Sequence, residues 1–267
     1  MGQTGGTLDA DIDAVEGWQI TTGSSSTVVA VLDTGIDSDH PEFQGRILPG
    51  FDFVNNDGDP EADHPHGVSV SGIIAANSDN SFSIAGIDHN VKILPVKVLN
   101  SLNQGTTSDL AEGLIFAANQ GAHIINMSLI NYPTNSGTLN DALQFARDTG
   151  AILLACAGNG GIGDADVSGP GASPLTISVG ATDHNDARAN FSGTGTALDV
   201  VAPGLNLPTV QFNSNVDDFS NFSGCSAATP VASGIATLLL SLNHFLRHDV
   251  IHNILNPDFR GFSWSSC

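Results

Sequence analysis

The order of runs along this chain predicts an α/β fold: a mostly parallel sheet with helices on both faces. Apolar strand-like runs alternate with helix-like ones through most of the 267 residues, the pattern of a sheet covered on both sides. Two polar residues, Asp33 and Asn159, directly follow strand-like runs. Ligands in such folds bind outside the carboxyl ends of the strands. No linker, repeat or low-complexity block interrupts the pattern, so residues 1–267 read as one domain.

Thr27 to Leu32 is a short β-branched strand ending at Asp33-Thr-Gly. Val68 to Ala76 is small and apolar, as a buried helix is. Val91 to Leu99 is a strand. Ser108 to Gln120 has helical spacing, with Ser108 or Asp109 as N-cap and Gly121 as terminator. His123 to Leu129 is a strand, and Thr138 to Thr149 a helix closed by Gly150. Further strands are read at Ala151 to Ala157, Leu175 to Ala181 and Ala197 to Ala202. Thr229 to Asn243 is a long apolar helix with Pro230 in its first turn.

Composition narrows the function. At 40% apolar residues the chain suits a soluble globular protein. Its longest apolar run, Gly234 to Leu242, is far short of the roughly 18 residues of a spanning helix. Seven Lys plus Arg against 28 Asp plus Glu leave −21, which repels nucleic acid and anionic membranes. The acidity fits a secreted protein kept soluble by its surface. Salt adaptation is the sharper alternative, and calcium binding takes up part of the acid in either case. Cys156, Cys225 and Cys267 are too few for a disulfide scaffold and lack the Cys-x-x-Cys of a zinc site. Cys225, beside the proposed nucleophile, reads as a buried or neighbouring thiol rather than as the nucleophile itself, and the state of the three cysteines is left open. Met1-Gly2 opens a polar, Gly-rich stretch without the basic and apolar regions of a signal peptide. That beginning suits a mature domain, with any signal and propeptide outside this chain.

Three short segments carry chemistry. Asp33 ends Val-Val-Ala-Val-Leu-Asp-Thr-Gly, His66 lies in His-Pro-His-Gly-Val-Ser-Val-Ser-Gly, and Ser226 in Ser-Gly-Cys-Ser-Ala-Ala-Thr-Pro. Each alone is bland: a turn Asp, one of nine histidines, a serine near a glycine. Together they are the carboxylate, imidazole and hydroxyl that activate a serine nucleophile. Ser226 opens an apolar helix, whose first N–H groups suit the oxyanion of acyl transfer. Asn159, in Cys-Ala-Gly-Asn-Gly-Gly, supplies an amide that can donate to the same oxyanion. The order Asp, His, Ser is one of three known for convergent triads. No Gly-x-Ser-x-Gly elbow surrounds Ser226, so an esterase of the α/β-hydrolase type lacks support.

On these motifs the chain resembles the subtilases, the subtilisin-like serine proteases, from about Asp11 to about Leu242. Asp-Ile-Asp-Ala near the start, Asp33-Thr-Gly-Ile-Asp-Ser-Asp-His-Pro-Glu-Phe, Asn126-Met-Ser-Leu, Val179-Gly-Ala-Thr and Val201-Ala-Pro-Gly are further landmarks. The resemblance implies a parallel seven-stranded sheet and an endopeptidase acting through an acyl-enzyme on Ser226. His66 would be general base and acid, Asp33 its orienter, and Asn159 an oxyanion donor. It also implies a cleft lined by Asn103, Gln104, Gly105, Ser128, Leu129 and Ile130, which would pair with the peptide backbone. Ala157 and Gly158 would line the pocket for the side chain before the scissile bond. Polypeptides are the implied substrates, a cleaved propeptide or protein inhibitor the implied partner, and a secreted monomer the implied form. Departures from the family pattern are Pro65, Ser69, Cys225, Ala227 and Ile130. They leave a second hypothesis open: a subtilase-fold pseudoenzyme that binds peptides without cutting them.

Alternating oxygen side chains at Asn55, Asp57, Asp59 and Glu61, with Asp52 just before, suit Ca²⁺ better than Mg²⁺ or zinc. A solvated acidic loop is the plain alternative. The segment is similar to the calcium loop of thermitase-type subtilases. The same resemblance places Glu42 and Asn80 as side-chain ligands of a second structural calcium. No organic cofactor is implied.

Overall fold

The computed structural model describes residues 6, 7, 10–161, 167–213 and 218–256. In chain order the strands are β1 (Val28–Asp33), β2 (Phe51–Asp52), β3 (Lys92–Lys97), β4 (Ile124–Met127), β5 (Ile152–Cys156), β6 (Ile177–Thr182), β7 (Val200–Pro203), β8 (Leu207–Val210) and β9 (Phe219–Phe222). The helices are α1 (Ala14–Gly17), α2 (Pro65–Ala75), α3 (Thr107–Asn119), α4 (Gly137–Asp148), α5 (Cys225–Leu242) and α6 (His248–Leu255). Strands β1 to β7 form one sheet in the order β2-β3-β1-β4-β5-β6-β7, parallel at every pairing. Strands β8 and β9 make a separate antiparallel hairpin.

The sheet divides two cores, and β1 shows why its sequence is apolar without a break. Val29 and Val31 face a core with Val68 and Ile74 of α2, Val231 and Ala236 of α5, and Ile251 of α6. Ala30 and Leu32 face the other, with Leu110 and Leu114 of α3 and Leu139 and Leu143 of α4. A strand buried on both faces has no polar side to show. β1 lies between β3 and β4, where the strand order reverses. The carboxyl end of such a strand opens into a crevice, and Asp33 is its last residue.

Several boundaries differ from the sequence reading. Helix α3 is capped by Thr106, not Ser108 or Asp109. The Thr106 hydroxyl accepts from Asp109 N–H (3.1 Å), and the Asp109 carboxylate accepts from Thr106 N–H (3.2 Å), a capping box. Helix α5 begins at Cys225, so Pro230 lies inside it rather than in its first turn. Helix α5 is also long and apolar enough to cross a bilayer by length and composition, which a search for unbroken apolar runs misses. Even so, 78% of it is buried inside the fold. Helix α1, the two-residue β2 and the four-residue strands of the β8–β9 hairpin are too short to show a period. Helix α6, with Val250, Ile251, Ile254 and Leu255 on one face, lies beyond the last element read from the sequence.

The cysteines also differ. Cys156 ends β5 and Cys225 starts α5, and the two form a disulfide with Cα atoms 5.2 Å apart, within the ordinary range. A sparse count does not preclude one bond where the fold brings two chain ends to one edge. Met1, Gly2 and Cys267 lie outside the described residues.

Candidate active site

Asp33, fully buried at the end of β1, and His66, in the first turn of α2, meet in the crevice. His66 Nδ1 is 2.7 Å from Asp33 Oδ1. A carboxylate only accepts, so Nδ1 carries the proton and Nε2 is left to act as a base. Asp33 Oδ1 also accepts from Thr34 N–H at 2.8 Å. Burial pulls the imidazole pKa down; the Asp33 charge and the hydrogen bond to it outweigh that, and His66 sits above its ordinary 6.5.

The glycines in these two segments have a steric reason. A Cβ on Gly67 would lie 2.3 Å from the Gly35 carbonyl oxygen and 3.2 Å from Asp33 Cβ. Only glycine lets α2 come this close to the end of β1. The Thr34 hydroxyl closes the junction, accepting from Gly67 N–H (2.9 Å) and donating to the His64 carbonyl (3.0 Å). Pro65, a departure from the family pattern, occupies a first-turn position of α2, where its missing N–H costs nothing. Lys97 is buried next to this junction and donates to the Thr34 carbonyl (2.9 Å) and to Asp63 (2.6 Å).

Ser226 stands in the first turn of α5 and is 7% exposed. Its hydroxyl donates to the Ser128 carbonyl at 3.0 Å rather than to His66. The Asp33–His66 link is made; the His66–Ser226 link is not. Both side chains line one cavity of about 480 Å³, and hydrogen bonds to a nucleophile commonly tighten only when substrate enters. Gly224, at φ +139°, makes the sharp entry to the helix.

Asn159 reaches the same place from the turn after β5. Its Oδ1 accepts from Cys225 N–H at 2.9 Å, which fixes the amide and turns Nδ2 away from Cys225. The side chain is exposed and lines the cavity. A second polar tie joins β4 to α5: Asn126 donates to the Ser128 hydroxyl (3.0 Å) and accepts from Ser233 (2.9 Å).

Asn103, Gln104, Gly105, Ser128, Leu129 and Ile130 all line the cavity. Ala157 and Gly158 are buried and are not among its lining residues; Ala157 packs with Val167 and Leu198 instead. Phe222 is a site residue that no sequence signal points to. It comes from the β8–β9 hairpin and meets the His66 ring edge-on, centroids 5.3 Å apart. Ser69, where the family has a second histidine, is buried, and its carbonyl accepts from the Thr209 hydroxyl.

Among the described residues no three His, Cys, Asp or Glu side chains converge as on a metal. The acidic loop is tied to itself. Asp52, almost wholly buried, accepts from Val54 and Asn55 N–H and from the Asn55 amide. Asp57 accepts from Asp59 N–H, and Glu61 binds Ser38. Elsewhere Asn80 donates to the fully buried Glu42 carboxylate at 3.1 Å. The side chains in both places are oxygen donors, the chemistry a hard cation takes, although those of the acidic loop do not converge on one point.

A parallel α/β sheet with a carboxylate–imidazole pair at its switch strand, facing a serine at a helix start, has the plan of a serine hydrolase. Residues 24–257 match the model of the subtilase family. The chain is 40% identical over 224 residues to a thermophilic serine proteinase of Bacillus sp. (strain AK1), covering 84% of this chain and 54% of that protein. It is 38% identical over 230 residues to thermitase of Thermoactinomyces vulgaris, covering 86% of this chain and 80% of thermitase. A solved protease from Pseudoalteromonas arctica superposes with a TM-score of 0.87 at 29% identity, over 96% of this chain and 89% of the other. The chain belongs to the subtilase family. It spans about half the length of the Bacillus relative.

Proposed function

We propose that the protein is a serine endopeptidase in which Ser226 attacks the peptide carbonyl and forms an acyl-enzyme. His66 Nε2 takes the serine proton and later gives it to the leaving amine, while Asp33 holds the tautomer and stabilises the imidazolium. Asn159 Nδ2 and the N-terminal amides of α5 receive the oxyanion. The observation that carries this reading is the 2.7 Å Asp33–His66 hydrogen bond in the same cavity as Ser226. The residues of 103–105 and 128–130 on that cavity's walls would pair with an extended polypeptide substrate. To be activated, Ser226 would have to give up its hydrogen bond to the Ser128 carbonyl for one to His66.

The domain is residues 1–267 acting as a secreted monomer, with a propeptide or protein inhibitor as its other partner. The Cys156–Cys225 disulfide supports an oxidising compartment. Ca²⁺ would be held by Asp52, Asn55, Asp57, Asp59 and Glu61 in one loop and by Glu42 and Asn80 at a second place, and when bound would supply loop stability. The test is hydrolysis of a peptide p-nitroanilide by the protein and by Ser226→Ala. Turnover lost in the variant supports the reading; equal rates would favour a subtilase fold that binds peptides without cutting them.

A further inference from the structure

Cys225 is tied to the Asn159 turn in three ways. Its Sγ is bonded to Cys156, at the end of the strand that leads into that turn. Its N–H donates to Asn159 Oδ1 at 2.9 Å. Its Sγ accepts from Gly158 N–H at 3.2 Å. Ser226 is the next residue, and Cys156 Sγ lies 4.0 Å from the Ser226 hydroxyl oxygen. Both cysteines are fully buried. The bond therefore joins the segment carrying an oxyanion donor to the segment carrying the nucleophile, across 69 residues of sequence.

We infer that the Cys156–Cys225 disulfide is a positioning bond of the catalytic centre, holding Asn159 in register with Ser226, so that turnover depends on it. The inference rests on the proteolytic reading above. Two unbonded sulfurs sit at van der Waals separation. Opening the bond in a fully packed site drives the turn and the helix start apart, or pushes a thiol toward the Ser226 hydroxyl. An oxyanion donor acts only at hydrogen-bond distance, and removing one costs about 10²–10³ in kcat. A displaced donor loses part of that, on the order of tenfold. Neither cysteine lines the cavity whose walls are 103–105 and 128–130, so KM changes less than kcat. A bond serving stability alone would lower the melting temperature and leave kcat unchanged.

The test compares wild type with Cys156→Ser/Cys225→Ser and with Cys156→Ala/Cys225→Thr, which puts a β-branched side chain at 225. Folding is checked by circular dichroism at the assay temperature, and either variant that folds is sufficient. The expected result is a kcat about tenfold or more below wild type with KM within about twofold. Wild-type kcat in a folded variant overturns the inference, whatever the melting temperature does. Independently, wild-type protein denatured and alkylated without reductant should take up one alkyl group by mass, since Cys267 is the only other cysteine. Uptake of three shows that no bond exists and overturns it as well. Equal turnover by wild type and Ser226→Ala would instead remove the proteolytic reading, and this inference with it.

Discussion

The two halves of the active site are held in different ways. The base half, Asp33 and His66, is assembled by backbone packing: a strand end, a helix start and glycines that allow them to touch. The nucleophile half, Ser226 and Asn159, is assembled by side chains. An amide and a disulfide fix Asn159 to Cys225, and Ser226 is parked on the Ser128 carbonyl. The proton acceptor is therefore preset, while the hydroxyl must move. On the proposed mechanism, substrate would have to draw Ser226 from the Ser128 carbonyl before it could be deprotonated.

The largest effect expected is from Ser226→Ala or His66→Ala. Each should lower kcat by about 10⁶, the size measured in subtilisin, and the double variant by little more, because the two act as a unit. Measured additivity would break the comparison, since it would mean the halves work separately.

Asp33→Asn should lower kcat by about 10⁴ by stabilising the wrong tautomer. It also moves the acid limb of kcat/KM. In wild type the base must be neutral, and the Asp33 charge holds its pKa above 6.5, so the limb lies above 6.5. Without that charge burial dominates, and the limb should shift to lower pH. A pH–rate profile that stays in place would contradict the role given to Asp33.

Asn159→Ala should cost about 10²–10³ in kcat with little change in KM. Chelation addresses the loops rather than the chemistry. At free calcium about 100-fold above Kd, binding is worth about 2.7 kcal/mol, so excess chelator should lower the melting temperature by roughly 5–10 °C. An unchanged melt removes the calcium reading. The smallest effect expected is from Ile130→Gly, which relieves crowding at the cleft wall. A few-fold change in KM across peptide substrates, with kcat held, is the outcome that sharpens the comparison.

The base half is more legible in the sequence than the nucleophile half. Asp33-Thr-Gly and His66-Gly are local signals, because the residues that permit close approach sit beside those that use it. The two-sided apolar strands likewise announce the parallel sheet. What joins Ser226 to Asn159 is non-local. The Cys156–Cys225 bond spans 69 residues, and a sparse cysteine count leaves the pairing open. Phe222 against His66 depends on a hairpin whose strands have only four residues each. Helix α5 starts at Cys225 and runs through Pro230, whereas propensity places Pro230 in the first turn; burial of almost the whole first half of the helix overrides that preference.

The most direct test is labelling with a fluorophosphonate followed by peptide mass mapping, in wild type, His66→Ala and Asp33→Asn. One adduct on Ser226 in wild type, absent in His66→Ala and slowed in Asp33→Asn, is the result that three distant positions working as one site must give. No adduct on Ser226, or labelling that is indifferent to His66, would contradict it.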